Sequence, residues 1–374
     1  METISLARGV PAAECVPAAE LADCARAAIT EDADRVLSYG SGAGYAPLRR
    51  WIADRHGVAT ERVVLTNGSL QGFALLAQVL AARGERVLVE APTYDRPLKI
   101  LGSLGADVDA VACDDGGLVV DELERALRRG RRPAFLYLLP TFQNPTGRTL
   151  SLERRRRVAA LAAEYDVLVL EDDPYGSIRF DGEPQPTLFE LDGGSHVGYS
   201  SSFSKTVAAG LRVGYLVLPE RVARAVESLA ASTYISPALL SQATVFEFLR
   251  RGHLERNVAL VRSLLRARRD ALLGALEDQL GRSGARWNRP QGGYFLWLEL
   301  PSGSNARALL HAAAGAGVSF VAGPDFYPWA GGGSTAARLA FSQASPPQLV
   351  EAVRRLARLV APLAPVELRE QHAA

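Results

Sequence analysis

The sequence predicts an α/β fold in which helices cover a parallel sheet, followed by a second, smaller α/β unit. Apolar, β-branched runs alternate with amphipathic helical stretches from about residue 46 to residue 220. This alternation is typical of a parallel sheet. The length of 374 residues is sufficient for one large domain and a smaller one.

Short apolar runs that end near polar or glycine-containing turns are the predicted strands of the large sheet. They cover residues 63–65, 86–90, 134–139, 167–170, 197–199 and 214–218. Helical periodicity is clear over 71–83, 152–165 and 253–280, and the last of these is long enough to bridge two domains. Further on, 293–300 and 337–341 are predicted strands, and 347–360 is predicted as a closing helix.

Composition and charge favour a small-molecule partner. The net charge is +1, and the mixed charges predict binding neither to nucleic acid nor to an anionic membrane. No apolar run approaches the roughly 20 residues of a membrane span, and the N-terminus does not resemble a signal peptide, so we predict a cytoplasmic protein. Cys15, Cys24 and Cys113 lack paired ligand spacing, so neither a disulfide framework nor a metal site is predicted.

Lys205 is the most informative single residue. Of 42 lysine and arginine residues, only Lys99 and Lys205 are lysines. An amine can lose its proton and attack a carbonyl, whereas a guanidinium stays protonated. We therefore predict Schiff-base chemistry at Lys205. Retention by chance is the alternative, and it is our interpretation of Lys99.

Polar residues follow the predicted strands, at the sheet edge where ligands of parallel sheets bind. Residues 66–72 lead into a helix whose N-terminus would attract an anion, although this segment taken alone favours an ordinary turn and helix cap. Asn144 either donates to a phenolate oxygen or forms a simple turn. Within the acidic run 171–175, Asp172 and Tyr175 could contact one ring that carries a protonated nitrogen. A metal site or a solvated turn is the alternative there.

The residues around Lys205 add a second possible anion contact. Ser202 and Ser204 precede Lys205, and Arg212 follows seven residues after it. Two hydroxyl groups and a guanidinium could clamp the phosphate of the group that Lys205 holds.

These motifs resemble those of the fold-type I pyridoxal phosphate (PLP) aminotransferases of class I/II, particularly the 2-aminoadipate and kynurenine aminotransferase branch. The segments that carry the resemblance are 39–49, 144–147, 172–175, 202–205 with Arg212, and 292–297. The resemblance covers almost the whole chain. It implies a large PLP-binding domain with a mixed, mostly parallel sheet flanked by helices, and a smaller α/β C-terminal domain. The implied limits are an N-terminal arm over 1–29 that packs with the small domain, a large domain over 30–245, and a small domain over 246–374 that includes the bridging helix.

The resemblance also implies a role for each residue of the site. Lys205 would hold PLP as an internal aldimine and serve as general base and acid, Asp172 would pair with the pyridinium nitrogen, and Tyr94 would stack on the ring. The ring hydroxyl would be bound by Asn144 and Tyr175. The phosphate would be bound by Ser69, the Leu70 amide, Ser202, Ser204 and Arg212, with Tyr39 reaching across from a second subunit of a homodimer. Arg338 would bind the substrate carboxylate, beside Asn144.

Two departures from this branch concern the substrate and the cofactor phosphate. Arg8 stands where the branch commonly has glycine, in a segment that also contains Gly9 and that lies beside the substrate in relatives. We hypothesise that Arg8 binds a substrate anion, the alternative being an arginine that faces solvent. Leu70 stands where relatives usually have glutamine, which a backbone amide contact with phosphate tolerates.

The leading functional prediction is a PLP-dependent aminotransferase that acts on an α-amino acid and a 2-oxo acid. The alternative is a PLP-dependent lyase, replacement or cyclising enzyme of specialised metabolism. A third hypothesis is a regulatory PLP-binding module without catalysis, of the kind fused to DNA-binding domains. The chain is expected to lack a helix-turn-helix segment before residue 4 and has no basic domain, and both expectations argue against this hypothesis.

Overall fold

The computed structural model describes residues 3–360, which form fourteen strands and twelve α-helices. The strands are β1 (Ile4–Ser5), β2 (Val63–Thr66), β3 (Arg86–Ala91), β4 (Asp107–Asp114), β5 (Gly117–Leu118), β6 (Phe135–Leu138), β7 (Val169–Asp172), β8 (Val197–Ser202), β9 (Gly214–Val217), β10 (Arg286–Trp287), β11 (Phe295–Glu299), β12 (Val318–Ser319), β13 (Val321–Ala322) and β14 (Ala336–Ala340). The helices are α1 (Ala18–Val36), α2 (Ala46–His56), α3 (Ser69–Leu80), α4 (Asp95–Leu104), α5 (Val120–Arg128), α6 (Leu152–Glu164), α7 (Leu188–Asp192), α8 (Glu220–Tyr234), α9 (Leu239–Arg250), α10 (His253–Leu280), α11 (Ala306–Gly315) and α12 (Pro346–Val360).

Eight strands form the largest sheet, in the order β2-β9-β8-β7-β6-β3-β4-β5. The five central strands from β8 to β4 are mutually parallel, whereas β9 is antiparallel to both of its neighbours. A parallel connection needs a crossover of a dozen or more residues, usually a helix. Residues 203–213, which connect β8 and β9, contain no α-helix, and this suits an antiparallel pair. The predicted mixed, mostly parallel sheet is confirmed.

Alternate residues of the central strands pack against helices on opposite faces of this sheet. Leu136 and Leu138 of β6 belong to a buried cluster that includes residues of α2, α6 and α9. Phe135 and Tyr137 belong to another cluster, with residues of α3, α4 and α8. This is the side-chain alternation expected of a strand. Because both faces are covered, the central strands are mainly apolar, and a polar side chain on one of them needs a buried partner.

A separate antiparallel sheet, in the order β10-β11-β14-β13, forms in the C-terminal part of the chain. Its residues share a buried cluster with α10, α11 and α12. The N-terminal arm joins this part because β1 pairs in parallel with β12, with Ile4 opposite Val318. The N-terminal residues are thereby held beside the C-terminal sheet.

All eight predicted strands and all four predicted helices are confirmed, with ends that differ by at most three residues. The helix predicted over 71–83 begins at Ser69 and ends at Leu80, because the chain must turn there to enter β3. The domain limits stay a prediction, and residues 1–2 and 361–374 of the two terminal segments lie outside the described residues. Among the helices of residues 3–360, none combines the length and apolar character that a membrane crossing requires.

Candidate active site

A cavity of about 600 Å³ lies where strands β6, β7 and β8 end. The N-terminal arm, the start of α3 and the C-terminal sheet complete its wall. All but one of the predicted site residues line it: Arg8, Gly9, Ser69, Leu70, Tyr94, Asn144, Asp172, Tyr175, Ser202, Ser204, Lys205, Arg212 and Arg338. The exception is Tyr39, whose exposed fraction is 84%. The structure therefore brings together residues that lie up to 330 positions apart in the sequence.

The two lysines of the chain have different environments in this cavity. Lys205 follows β8, and its Nζ donates a hydrogen bond of 2.8 Å to the Gly9 carbonyl. Burial, together with the positive charges of Arg212 and Arg338, lowers the pKa of Lys205 to about 8. Lys99 is exposed on α4 and pairs with Asp95 at 3.1 Å. Of the two lysines, Lys205 is thus the buried one, with a lowered pKa.

Asp172 is the last residue of β7 and the only one of three consecutive acidic residues, Glu171 to Asp173, that lines the cavity. Tyr137 Oη donates to its Oδ2 at 2.7 Å, and Ser200 Oγ donates to its Oδ1 at 3.2 Å. Burial raises the pKa of Asp172 to about 6, although these two hydrogen bonds lower it. Because Asp172 also lines the cavity, its carboxylate can accept a further hydrogen bond from a ligand.

The two flanking carboxylates are structural. Glu171 lies 3.7 Å from the guanidinium of Arg155, with both side chains fully buried, and it accepts a hydrogen bond from the Phe189 amide. Asp173 accepts hydrogen bonds from the Tyr199 hydroxyl and the Gly176 amide. These partners compensate the two carboxyl groups for their burial.

Arg338, on β14, reaches the large sheet across the cavity. Its Nη1 donates to Asn144 Oδ1 at 2.7 Å and its Nη2 donates to the Ala7 carbonyl at 2.6 Å. Its Nε is buried and has no hydrogen-bond partner among the described residues. A buried donor without a partner is costly. A carboxylate beside this edge would supply the missing acceptor.

The N-terminus of α3 and the loop after β8 form a cradle of donors. Arg212 Nη1 lies 3.4 Å from Ser204 Oγ, which accepts a hydrogen bond of 2.8 Å from Ser202 Oγ. Arg212 also donates to the Asn67 carbonyl at 3.2 Å. Gly68 has a φ of +84°, and a Cβ there would meet the Arg212 guanidinium. Glycine is therefore required for the backbone to approach this closely.

Two tyrosines complete the wall. Tyr175 is buried, and burial raises its pKa well above the ordinary value. Burial raises the pKa of Tyr94 to about 12. Both phenols are therefore neutral and can donate hydrogen bonds.

The N-terminal arm crosses the cavity with its backbone attached to both sides. The Ala7 carbonyl accepts from Arg338, and the Gly9 carbonyl accepts from Lys205. A Cβ at Gly9 would collide with the Phe295 ring. Arg8 lies between these two contacts, lines the cavity, and has no ion pair or side-chain hydrogen bond within residues 3–360. The Arg8 side chain therefore leaves the backbone between the carbonyl that binds Arg338 and the carbonyl that binds Lys205.

The motifs did not identify several polar residues of this site. Tyr137 and Ser200 lie behind Asp172, and Asp325 lines the cavity on the C-terminal side. Ser200 lies two residues before the motif 202–205, and this proximity was the one available signal. Tyr137 looks like any other aromatic residue of an apolar strand.

The donor set suits a ligand with a phosphate, an aromatic ring and a carboxylate. The cradle of Ser69, Ser204 and Arg212 offers amide, hydroxyl and guanidinium donors to an anion. Arg338 lines the same cavity, and its Nε has no hydrogen-bond partner within residues 3–360. The carboxylate of Asp172 and the amine of Lys205 also face this cavity. The predicted cofactor and its amino-acid substrate together present these groups.

Comparison with known proteins gives one family and close relatives over nearly the full chain. The family model for aminotransferase class I and II matches residues 2–356. The 2-aminoadipate transaminase of Thermus thermophilus is 37% identical over 95% of this chain and 89% of its own length. The aromatic-amino-acid aminotransferase 1 of Thermococcus litoralis is 32% identical over 96% and 88%.

One solved structure adds a ligand to this comparison. It is LysN, the alpha-aminoadipate aminotransferase of Thermus thermophilus, in complex with N-(5'-phosphopyridoxyl)-L-leucine. The TM-score is 0.91, with 35% identity over 96% of this chain and 92% of that one.

Proposed function

The chain belongs to the aminotransferase class I and II family, and we propose how its residues divide the work of that family's reaction. It is a PLP-dependent transaminase that moves an amino group between an α-amino acid and a 2-oxo acid. The resemblance and the predicted cofactor are thereby confirmed. The roles of individual residues, the substrate and the assembly are our proposals.

We assign the cofactor contacts from the geometry of the cavity. Ser69, the Leu70 amide, Ser202, Ser204 and Arg212 would bind the phosphate, because these donors converge at one end of the cavity. Asp172 would accept from the ring nitrogen. Asn144 and Tyr175 would bind the ring hydroxyl, and Tyr94 would stack on the ring.

When bound, PLP accepts the amino group and withdraws electron density from the substrate's α-carbon. Lys205 Nζ would take the proton from that carbon and later return one, as general base and acid. Its low pKa of about 8, due to burial and nearby arginines, suits this exchange. Arg338 would hold the substrate carboxylate by Nε and an Nη group, with Asn144 fixing the guanidinium at 2.7 Å.

For the substrate, we propose an amino acid whose side chain carries a second anionic group bound by Arg8. The observation that carries this proposal is the position of Arg8, which is anchored between the Arg338 and Lys205 contacts and has no partner within residues 3–360. Arg96 and Lys99 also line this cavity, although both lie near Asp95. The name of the Thermus relative, 2-aminoadipate transaminase, supports an acidic donor.

Removal of the Arg8 guanidinium tests this proposal. We expect Arg8→Ala to lower kcat/KM for glutamate and 2-aminoadipate by about 10- to 100-fold, since a hydrogen bond to a charged group contributes roughly 1.5–3 kcal/mol. Phenylalanine and leucine serve as controls within the same experiment and should change less than about twofold, the effect of a weak exposed contact. The measurement is conversion of the bound cofactor to its aminated form, followed by absorbance without any oxo acid.

The conservative variant Arg8→Lys keeps the charge but loses the planar fork, so an intermediate loss is expected. An equal loss for acidic and apolar donors would contradict a role in specificity. A wild-type preference for aromatic donors would contradict the proposed acidic substrate and would favour the alternative in which Arg8 faces solvent.

We also propose a homodimer with active sites shared across the interface. Tyr39, Leu37 and Ile235 are 84%, 63% and 60% exposed, which is unusual for large apolar side chains. Their two loops touch, because the Gly40 amide donates to Ser236 Oγ at 2.9 Å. Tyr39 does not line the cavity of its own chain. Its hydroxyl would instead donate to the cofactor phosphate in a second subunit.

This assembly makes a prediction about mixed dimers. Tyr39→Phe should raise the Kd of the cofactor by about tenfold or more, through the loss of one charge-assisted hydrogen bond. In a mixture with Lys205→Ala subunits, one site of each mixed dimer would combine an intact Lys205 with an intact Tyr39. Tight cofactor binding should therefore return to a fraction of the sites, measured by absorbance titration. A monomer in sedimentation, or no recovery on mixing, would contradict the proposal.

A cytoplasmic location stays a prediction. Cys15, Cys24 and Cys113 are free thiols in the structure, and free cysteines suit a reducing compartment.

A further inference from the structure

Both oxygens of the Asp172 carboxylate accept a hydrogen bond from a buried hydroxyl. Tyr137 Oη donates to Oδ2 at 2.7 Å, and Ser200 Oγ donates to Oδ1 at 3.2 Å. The donors belong to β6 and β8, the strands on either side of β7, and Ser200 is the register partner of Asp172. The rigid sheet therefore fixes both donors relative to the carboxylate.

Tyr137 can act only as a donor in this position. Its side chain is fully buried, with its ring 4.9 Å from the ring of Phe73. Burial and the charge of Asp172 hold the pKa of Tyr137 well above its usual range. The hydroxyl therefore keeps its proton over the working pH range and presents it to Asp172.

Burial and a neighbouring carboxylate act against the charge of Asp172. Burial raises the pKa of Asp172, and the neighbouring carboxylate of Asp173 raises it further. Tyr94 and Tyr175 face the same carboxylate, and burial keeps their phenols neutral. The two hydroxyl donors are thus the groups that oppose protonation of Asp172.

A proton shared between a carboxylate and a ring nitrogen stays on the more basic of the two. Hydrogen bonds donated to a carboxylate stabilise its charged form and make it less basic. Without them, a buried carboxylate would compete for the proton and leave the ring nitrogen neutral. A neutral ring withdraws electron density from the substrate's α-carbon less strongly.

We propose that Tyr137 is a positioning residue that keeps Asp172 ionised and the shared proton on the ring nitrogen of the cofactor. Ser200 contributes in the same sense through a longer bond. This inference rests on the proposed pairing of Asp172 with the ring nitrogen. It adds to the site two residues, Tyr137 and Ser200, that lie behind Asp172 and would not touch the cofactor themselves.

The test is the protonation state of the ring nitrogen in Tyr137→Phe. The holoenzyme is prepared with ¹⁵N-labelled cofactor, and the ¹⁵N chemical shift is recorded as a function of pH. We expect the nitrogen to lose its proton at a pH lower by about 1 to 2 units, the effect of losing a hydrogen bond to a charged group. kcat should fall by about tenfold or more, while KM changes little.

Tyr199→Phe is the matched control. It also removes a buried tyrosine hydroxyl, which donates at 3.0 Å to the adjacent carboxylate of Asp173. Its ¹⁵N titration should follow the wild type. Ser200→Ala should shift the titration in the same direction as Tyr137→Phe but by less. If Tyr137→Phe does not fold, Ser200→Ala alone tests the role of the hydroxyl donors.

Asp172→Asn tests the pairing of Asp172 with the ring nitrogen separately from the role of the two hydroxyl donors. If that variant leaves the ring nitrogen unchanged, the proposed role of Asp172 is wrong. If it neutralises the nitrogen while Tyr137→Phe and Ser200→Ala follow the wild type, only the inference about the hydroxyl donors is overturned.

Discussion

Lys205→Ala is expected to lower the rate of transamination by about 10⁴-fold, the upper end of what a positioned acid–base group contributes. The physical reason is that the other lysine of the chain is not placed to replace it. The second lysine, Lys99, pairs with Asp95 on the exposed side of α4. The measurement is single-turnover conversion of the bound cofactor to its aminated form on addition of amino acid.

Lys99→Ala is the matched control, because the same side chain is removed from the wall of the same cavity. We expect its single-turnover rate to stay within about threefold of the wild type, as for an exposed ion pair. Borohydride reduction of the holoenzyme, followed by peptide mapping, should place the cofactor on Lys205 alone. Label on Lys99, or a Lys205→Ala enzyme with substantial activity, would contradict the assignment.

The polar groups at the strand ends could be predicted from the sequence because of the simple geometry of a parallel sheet. Asn144, Asp172 and Ser202 each follow a run of apolar residues, and parallel strands present their carboxyl ends at one edge. The structure places all three on one cavity. These site residues could therefore be predicted from the motifs and the sheet topology, without knowledge of side-chain packing.

The positions of Tyr137 and Ser200 behind that edge depend on which strands pair and in which register. Neither is encoded in a local stretch of the sequence. Tyr137 contacts Asp172 because β6 lies next to β7, and Ser200 does so because it pairs with Asp172 across β7 and β8. Neither pairing follows from composition or periodicity. Arg155 presents the same difficulty, since nothing separates this fully buried arginine from the many exposed ones until α6 is packed.

The contacts of the N-terminal arm could not be predicted from the sequence either. Its contact between Gly9 and Lys205 joins residues 196 positions apart and follows from the two-residue pairing of β1 with β12. So short a strand carries no periodic signal. Strand β4 was also not predicted, because its residues alternate weakly and most are partly exposed beside the short strand β5.

Arg338→Gln is expected to lower kcat/KM for the amino-acid substrate by about 10²- to 10³-fold, since truncation of one partner of a buried charge pair costs roughly 2–5 kcal/mol. The guanidinium is buried and bonded to Asn144 and the Ala7 carbonyl. Its Nε has no partner among the described residues. A substrate carboxylate would therefore gain donors that already point into the cavity. Cofactor absorbance should be retained, because Arg338 bonds to Asn144 and the Ala7 carbonyl and not to the residues of the phosphate cradle.

Comparison of an amino acid with the amine that lacks its α-carboxylate isolates this contact. The wild type should strongly prefer the amino acid, whereas Arg338→Gln should act on the two at similar rates, since the group that distinguishes them has lost its partner. Arg338→Lys, which keeps the charge without the bidentate fork, should fall between. Arg307→Gln, which breaks an exposed ion pair with Asp325 at 2.8 Å, is the control for a nearby arginine. If Arg338→Gln keeps the wild-type preference, the substrate carboxylate is bound elsewhere, and the free Nε edge serves another ligand.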